Sequence, residues 1–468
     1  MAKKRKISGS CNMANRNKRI KKEEEVQSQN TGGMVVDTYT SQLPELVINQ
    51  IFSHLSTKSA IRASILSKEW ASVCSSVLIL DIDEDEGKKQ SADHRDRRRK
   101  FLKFLSNCLK IREKEKYLEK FRLRMSYFGG DCAINKSLSF ALERNVKELD
   151  ICFKRENEVR KGRYYCLQQT ALNNAKSLTI LKLEYLKIEE DSIDTISLPS
   201  LKTLSLKAVK FMTNTGFSRL YSGCPSIEYL SLTSCHGWDV RLSSLGLKHL
   251  EILCCEIKLK VEATNLESFK FRGDNGLRHH IIDMRKNFYI ASCQTLRSLE
   301  FSHAHFAIGW FKGLDSRFPL LERLVLHTCF SYSGIINIFS QHLKSFVFHE
   351  CGNILSNFSM TAPNLSEATI TIEERRDYDR LRNFLGNFDC SKKIRLHVNE
   401  TEVCIFPEEM RKKYSPPLPS LKHLEVEIDT FTTVVTHSAL MDSLRWMAPS
   451  LEFLSINRIH YIYDSRIS

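Results

Sequence analysis

A six-residue template, L-x-x-L-x-L, returns along most of this 468-residue chain and restricts its fold more than any other feature. It reads LEKFRL from Leu118, LTILKL from Leu178, LKTLSL from Leu201, IEYLSL from Ile227 and LKHLEI from Leu247. It continues as LESFKF from Leu266, LRSLEF from Leu296, LERLVL from Leu321, LKSFVF from Leu343, LKHLEV from Leu421 and LEFLSI from Leu451, with weaker copies at Val146, Leu365 and Ser391. Between Leu118 and Leu451 it steps thirteen times at a mean spacing of about 26 residues, the period of a solenoid of stacked strands. Positions four and six point inward from a short strand, and position one reaches the same core from the preceding turn. Each unit leaves its strand edges and apolar side open, so it needs neighbours on both sides. The steps vary from about 19 to 32 residues, which predicts an irregular α/β solenoid, a horseshoe with parallel strands on its concave face and loop insertions on one side.

The ninth template position accounts for many of the fifteen cysteines. Cys235, Cys255, Cys329 and Cys351 fall there, and Leu186 and Val209 fill the same place elsewhere, so these thiols read as small core residues rather than nucleophiles. The cysteine count is odd, no Cys-x-x-Cys pair occurs and no secretory apolar segment precedes the cysteines, which predicts a reducing compartment. Without ligand spacing a metal site is not expected; SHAHF from Ser302 to Phe306 offers two histidines and no nearby thiol. Glycine is sparse at eighteen residues and no phosphate-cradling run occurs, so neither a cofactor nor an enzyme is implied. No apolar run approaches the ~20 residues of a membrane helix, and a soluble protein is expected.

The net charge of +15 is densest at one end. Residues 1–25 hold nine Lys or Arg residues against Glu23, Glu24 and Glu25, in two clusters, Lys3, Lys4, Arg5, Lys6 and Lys18, Arg19, Lys21, Lys22, separated by an eleven-residue spacer. That spacing suits a bipartite nuclear signal read by an acidic import groove, and predicts a nuclear protein with a disordered basic tail over residues 1–36; a solvated basic arm is the plainer alternative. The remaining charge is spread thinly and not interleaved with aromatics, so nucleic acid is not an expected partner.

From Asp37 to Asp83 the period becomes helical. Leu43, Val47, Ile48, Ile51, Phe52 and Leu55 recur at three- and four-residue steps, with Pro44 in a first turn. A second helix, capped by Ser56 or Thr57, carries Ile61, Ile65 and Leu66, and a third, capped by Ser67, carries Trp70. Three short helices bury too little by themselves and call for a partner. The run LPELVINQIFSHLSTKSAIRASILSKEW resembles the F-box, in the form found in plant F-box proteins with leucine-rich repeats; the matching elements are Leu43-Pro44, Ile51-Phe52 with Leu55, Ser56 to Lys68, Trp70 and the trailing LDID from Leu80. The resemblance implies docking onto a Skp-type adaptor, and through it a cullin and RING ligase core, by Leu43, Pro44, Ile48, Ile51, Leu55, Ile61, Leu66 and Trp70. The plainer alternative is that several of these side chains only hold the three helices together. Glu69 departs from the family, which usually has a basic residue there.

A charged linker is expected over residues 84–100 and repeats over 101–468. LPSLKTLSLKAVKF, LYSGCPSIEYLSLTSC and LPSLKHLEVEI with MDSLRWMAPSLEFLSI resemble the repeats of plant F-box proteins; the last lies in a region, 390–468, like the C-terminal FBD region, which would cap the open end of the solenoid, with Trp446 and Met447 covering apolar surface. The resemblance implies a non-catalytic substrate-recognition adaptor of an SCF-type ubiquitin ligase, with a non-SCF binding scaffold as the alternative. Positions three, five and seven alternate with the buried leucines and supply Tyr229, His249, Lys270, Arg272, Arg323, His327 and His349 to the concave surface. His327 and His349 share the seventh position of successive repeats and are expected about 5 Å apart, Arg323 sharing the strand of His327. Such a group favours an acidic or phosphorylated segment of a target; an ordinary polar strip is the plainer reading.

Overall fold

The computed structural model describes residues 43–86, 94–127, 129, 131–154, 164–173, 175–189, 196–273, 288–291, 293–306, 309–331, 335–349, 357–373, 377–430 and 437–462. The basic clusters of residues 3–22 and Cys351 lie outside these. By its contacts the chain divides into two units, one formed by residues up to His54 together with Ile61–Ser76, the other by Leu55–Ala60 and everything from Val77 onward.

Three helices follow one another at the start: α1 (Glu45–Ser53), α2 (Thr57–Ala63) and α3 (Lys68–Ser76). Pro44 stands at the N-cap of α1, where a missing N–H is harmless, and its carbonyl accepts from Val47 and Ile48 at 2.8 and 3.1 Å. Ser56 and Ser67 cap α2 and α3 through their hydroxyls, which accept from the amides of Ser59 and Trp70 at 3.1 and 3.2 Å. In the first unit α1 packs on α3, with Phe52 edge-on to Trp70 at 5.5 Å between ring centroids and Ile48 and Val73 buried beside them.

The second unit is dominated by one sheet of sixteen strands. In chain order they are β1 (Ile79–Asp83), β2 (Lys120–Ser126), β3 (Glu148–Lys154), β4 (Ile180–Glu184), β5 (Thr203–Lys207), β6 (Tyr229–Thr233), β7 (His249–Leu253) and β8 (Ser268–Arg272). There follow β9 (Ser298–Ser302), β10 (Arg323–His327), β11 (Ser345–His349), β12 (Glu367–Ile372), β13 (Lys393–Glu400), β14 (His423–Thr430), β15 (Phe453–Ile456) and β16 (Ile459–Ile462). Spatial order equals chain order, and every pair from β1 to β15 is parallel. The third template positions are in line throughout, as in Tyr229↔His249↔Ser268↔Ser298↔Arg323↔Ser345. A slip of one residue would turn positions four and six outward, and these are buried in every repeat, for instance Leu230, Leu232, Leu324 and Leu326.

Two devices turn the chain at the end of each strand. Position eight adopts a left-handed backbone in six repeats, at Tyr185, Ala208, Ser234, Cys254, His303 and Thr328, with φ between 46° and 57°. Position nine then returns to the core: Cys235, Cys255 and Cys329 are fully buried, and their thiols donate to the sixth-position carbonyls of the preceding repeat, Leu206, Leu232 and Phe301, at 3.6, 3.3 and 3.5 Å. The expected core role of these thiols is what the fold uses, with a weak donor satisfying a buried carbonyl as well as filling space.

Two expectations about segments need correction. ILDID, assigned with the helical module, is β1 of the sheet; its Asp81 amide donates to the Thr57 hydroxyl at 2.8 Å. The supposed linker over 84–100 is not one throughout, because Glu84 accepts from the Ser126 amide at 2.8 Å and α4 (His94–Ile111) begins within it. Arg95 to Lys100 are the polar opening of an amphipathic helix whose Phe101, Leu105 and Cys108 are buried near Ile134 and Leu138 of α5 (Asp131–Glu143). Trp446 and Met447 pack on apolar surface. They belong to a helix, His437–Met447, between β14 and β15, where Met447 is fully buried and Trp446 lies 5.2 Å from the ring of Phe406. The edge beyond β15 is covered by β16, which turns back antiparallel.

Candidate functional site

The small helical unit exposes more apolar bulk than it buries. Among the described residues of that unit Leu43, Leu46, Val47, Ile61, Ile65 and Leu66 are exposed, against Ile48, Phe52 and Val73 buried. Leu46 and Ile65 are each 83% exposed and Leu66 72%, values that soluble surfaces do not concentrate on three short helices without a partner. Of the eight expected adaptor residues, Leu43, Pro44, Ile61 and Leu66 lie on the exposed side, Ile51, Leu55 and Trp70 are half-buried, and Ile48 at 4% exposure belongs to the interior. Ile48 therefore holds α1 to its neighbours instead of offering a contact. Leu46 was missed, although five apolar residues within Leu46 to Phe52 are too many for one helix stripe and mark a helix with two apolar faces. Glu69 is fully exposed in the first turn of α3; the Ser67 hydroxyl, its own amide and Lys68 hold its carboxyl below the usual range, so this rim position is firmly anionic.

On the outward face of the sheet the third, fifth and seventh positions form three rows. The rows over β1 to β5 are charge-paired within themselves: Asp81 and Asp150 flank Arg122 at 3.0 and 3.4 Å, Glu148 takes Lys120 and Lys182 at 3.2 and 3.4 Å, and Glu184 takes Lys207 at 3.4 Å. Burial raises the Asp150 carboxyl, opposed by Arg124, Arg122 and Lys182. Across β6 and β7 the Tyr229 hydroxyl donates to Glu251 at 2.7 Å, its phenol pushed up to about 12 by burial and that carboxylate, with the exposed His249 ring 6.5 Å away.

From β8 to β11 the character changes. Lys270 pairs with Glu300 at 2.8 Å, while Arg272, two strands from His327 on the seventh row with Ser302 between them, has no ion pair among the described residues. His327 and His349 are direct neighbours, as expected, with ring centroids 5.5 Å apart, and His349 Nε2 meets Glu373 Oε1 at 2.6 Å. Arg323 does not join them: it sits four residues along β10, about 13 Å away at strand rise, and donates to the Ser345 hydroxyl at 3.1 Å. Sequence reasoning missed His303, whose left-handed turn places it within electrostatic reach of Arg272 and His349. Burial, Arg272 and His349 hold the His303 imidazole below its ordinary value. For His327, burial acts first, then His349, with Lys270 and His303 in the same direction and Glu300 opposing. Among the described residues no group of three or more His, Cys, Asp or Glu side chains is placed to hold a metal ion, and no helix is long and apolar enough to cross a membrane.

Comparison with known proteins matches both parts. Residues 40–81 match the F-box domain model, and residues 135–302 the model described as FBD-associated F-box protein At5g56370, LRR repeats. The chain is 32% identical over 222 residues to the F-box/LRR-repeat protein At3g59210 of Arabidopsis thaliana, covering 45% of this chain and 43% of that protein. It is 26% identical over 345 residues to the FBD-associated F-box protein At4g10400 of the same plant, covering 73% and 79%. It is 24% identical over 369 residues to the F-box/LRR-repeat protein At3g59190, also of that plant, covering 74% and 89%. Against several of these curated relatives the chain spans only about half their length.

Proposed function

Because the chain carries an F-box domain followed by leucine-rich repeats like those of plant FBD-associated F-box proteins, we propose that it is the substrate-recognition adaptor of a Skp–cullin–F-box ubiquitin ligase. The observation that carries this reading is the exposed apolar side of the three-helix unit, where Leu46, Ile65 and Leu66 stand in water with the F-box sequence around them. Apolar anchors of this size, desolvated against a partner groove, supply most of the affinity of such an interface. The repeats supply the target surface, and catalysis of ubiquitin transfer lies with the cullin-bound partners. Affinity capture of a purified plant Skp-type adaptor by the full chain tests the reading; absence of capture at micromolar adaptor rules it out.

A second reading, a binding scaffold outside the ligase, is favoured by one feature, the anionic Glu69 where the family usually has a basic residue. Glu69→Lys separates the two: strengthened capture by the variant, from none in the parent, marks the scaffold. A nuclear address belongs to the same proposal and rests on the clusters Lys3 to Lys6 and Lys18 to Lys22. Changing both clusters to alanine in a fluorescent fusion moves the protein out of the nucleus if they are the signal.

A further inference from the structure

The patch spanning β8 to β11 differs from the outward face over β1 to β5 in carrying neighbouring histidines. Lys270 on β8 pairs with Glu300 on β9 and His349 with Glu373 after β12, while Arg272 on β8 has no ion pair among the described residues. Near Arg272 stand three imidazoles, His303 in the turn after β9, His327 on β10 and the Glu373-paired His349 on β11, with Arg323 at the far end of β10. His327 and His349 stand ring to ring at 5.5 Å, and Arg272 lies two strands away on the same row. We propose that this row is a proton-gated receptor for an acidic peptide segment of the target protein, with Arg272 as the permanent anchor and His303 and His327 as the groups that charge when the segment binds. The inference rests on the repeats being the target-binding part.

The physical reason is burial, reinforced by opposition of like groups. In the free protein burial disfavours protons on His303 and His327, joined at His303 by Arg272 and His349 and at His327 by His349, Lys270 and His303 with Glu300 opposing, and Arg272 stands beside them with no ion pair among the described residues. A carboxylate or phosphoryl oxygen placed between Arg272 and the histidines reverses that opposition, and binding then takes up protons. By linkage, affinity rises about tenfold for each unit by which pH falls, per proton taken up. Stretches such as β1 to β5 lack this property, because their cations already face carboxylates.

The test uses the full chain and two labelled peptides of one Gly/Ser frame, one with three consecutive glutamates, the other with three phosphoserines. Glutamates stay ionised between pH 7.5 and 6.0, so that peptide reports the protein's titration alone; the phosphopeptide shows whether a phosphoryl group is taken in preference. Residues 1–42 contain no histidine, so a basic tail cannot imitate the pH dependence. Expected are tighter binding of at least one peptide by about fivefold or more at pH 6.0, loss of about tenfold at both pH values in Arg272→Ala, and a flat pH profile in His303→Gln/His327→Gln. Binding of neither peptide, or a pH dependence that survives the double histidine variant, overturns the proposal. Adaptor capture measured on the same samples keeps the two readings apart, since failure there sinks the ligase assignment and leaves the peptide result standing.

Discussion

Truncating Ile65 and Leu66 together to alanine separates an adaptor-docking surface from a merely exposed one. Full burial of an isoleucine or leucine side chain gains about 1.5–3 kcal/mol. Ile65 is 83% exposed and Leu66 72%, so covering both gives about 2–5 kcal/mol, or roughly 30- to 3000-fold in Kd. Alanine retains its Cβ, which places the measured loss in the lower half of that range. The same truncation leaves the fold almost untouched, within about 0.5 kcal/mol, because exposed side chains away from caps and pairs carry little stability. Ile48→Ala gives the opposite signature: at 4% exposure its loss leaves a cavity and costs about 2–5 kcal/mol of stability in the helical unit. Isothermal titration of a purified Skp-type adaptor against the full chain, with thermal unfolding of each variant, reads both quantities. An Ile65→Ala/Leu66→Ala protein that binds the adaptor within threefold of the parent, with an unchanged transition, refutes the assignment of this face.

Other consequences can be checked independently. Burial pushes the thiols of Cys224 and Cys404 up to about 12, and Cys235 and Cys329 are fully buried, so alkylation followed by mass spectrometry labels Cys132 and Cys166 in the native protein and these four only after unfolding. Gly273→Ala places a Cβ against the backbone carbonyl of His303, and a lowered midpoint in urea corresponding to about 1–3 kcal/mol is expected, with Gly309→Ala as a comparison that meets no neighbour but strains a φ of +73°. His303 and His327 titrate below their unfolded values of about 6.5, so the stability they permit is complete above that pH and is lost as pH falls through their folded values. Thermal midpoints recorded from pH 7.5 to 5.0 therefore fall for the parent and fall less for His327→Gln; equal slopes contradict the assignment.

The repeat architecture was legible because its cause is local. Two buried positions at a period of two, restored about every 26 residues, allow one strand direction and one register, and the fourteen templates became fourteen adjacent strands, β2 to β15. The thiols at position nine were legible for the same reason. The helices of the small unit could be placed from caps and spacing, but which side of α1 lies inward could not: Leu46, Val47, Ile48, Ile51 and Phe52 are all apolar, and only packing on α3 buries Ile48 and Phe52 and leaves Leu46 out. Edge strands were the least visible. ILDID carries no template leucine at position one, and its partner lies some forty residues away, so its identity depends on a pairing that composition does not announce. The histidine patch was half visible, since the row of each residue follows from the template, whereas Arg272, His303 and His327 become one group only when repeats of unequal length are stacked strand on strand. The chain's own alternation determined which side chains face out; the tertiary stacking, by bringing residues some thirty positions apart to adjacent rungs, decided which of them share a charge.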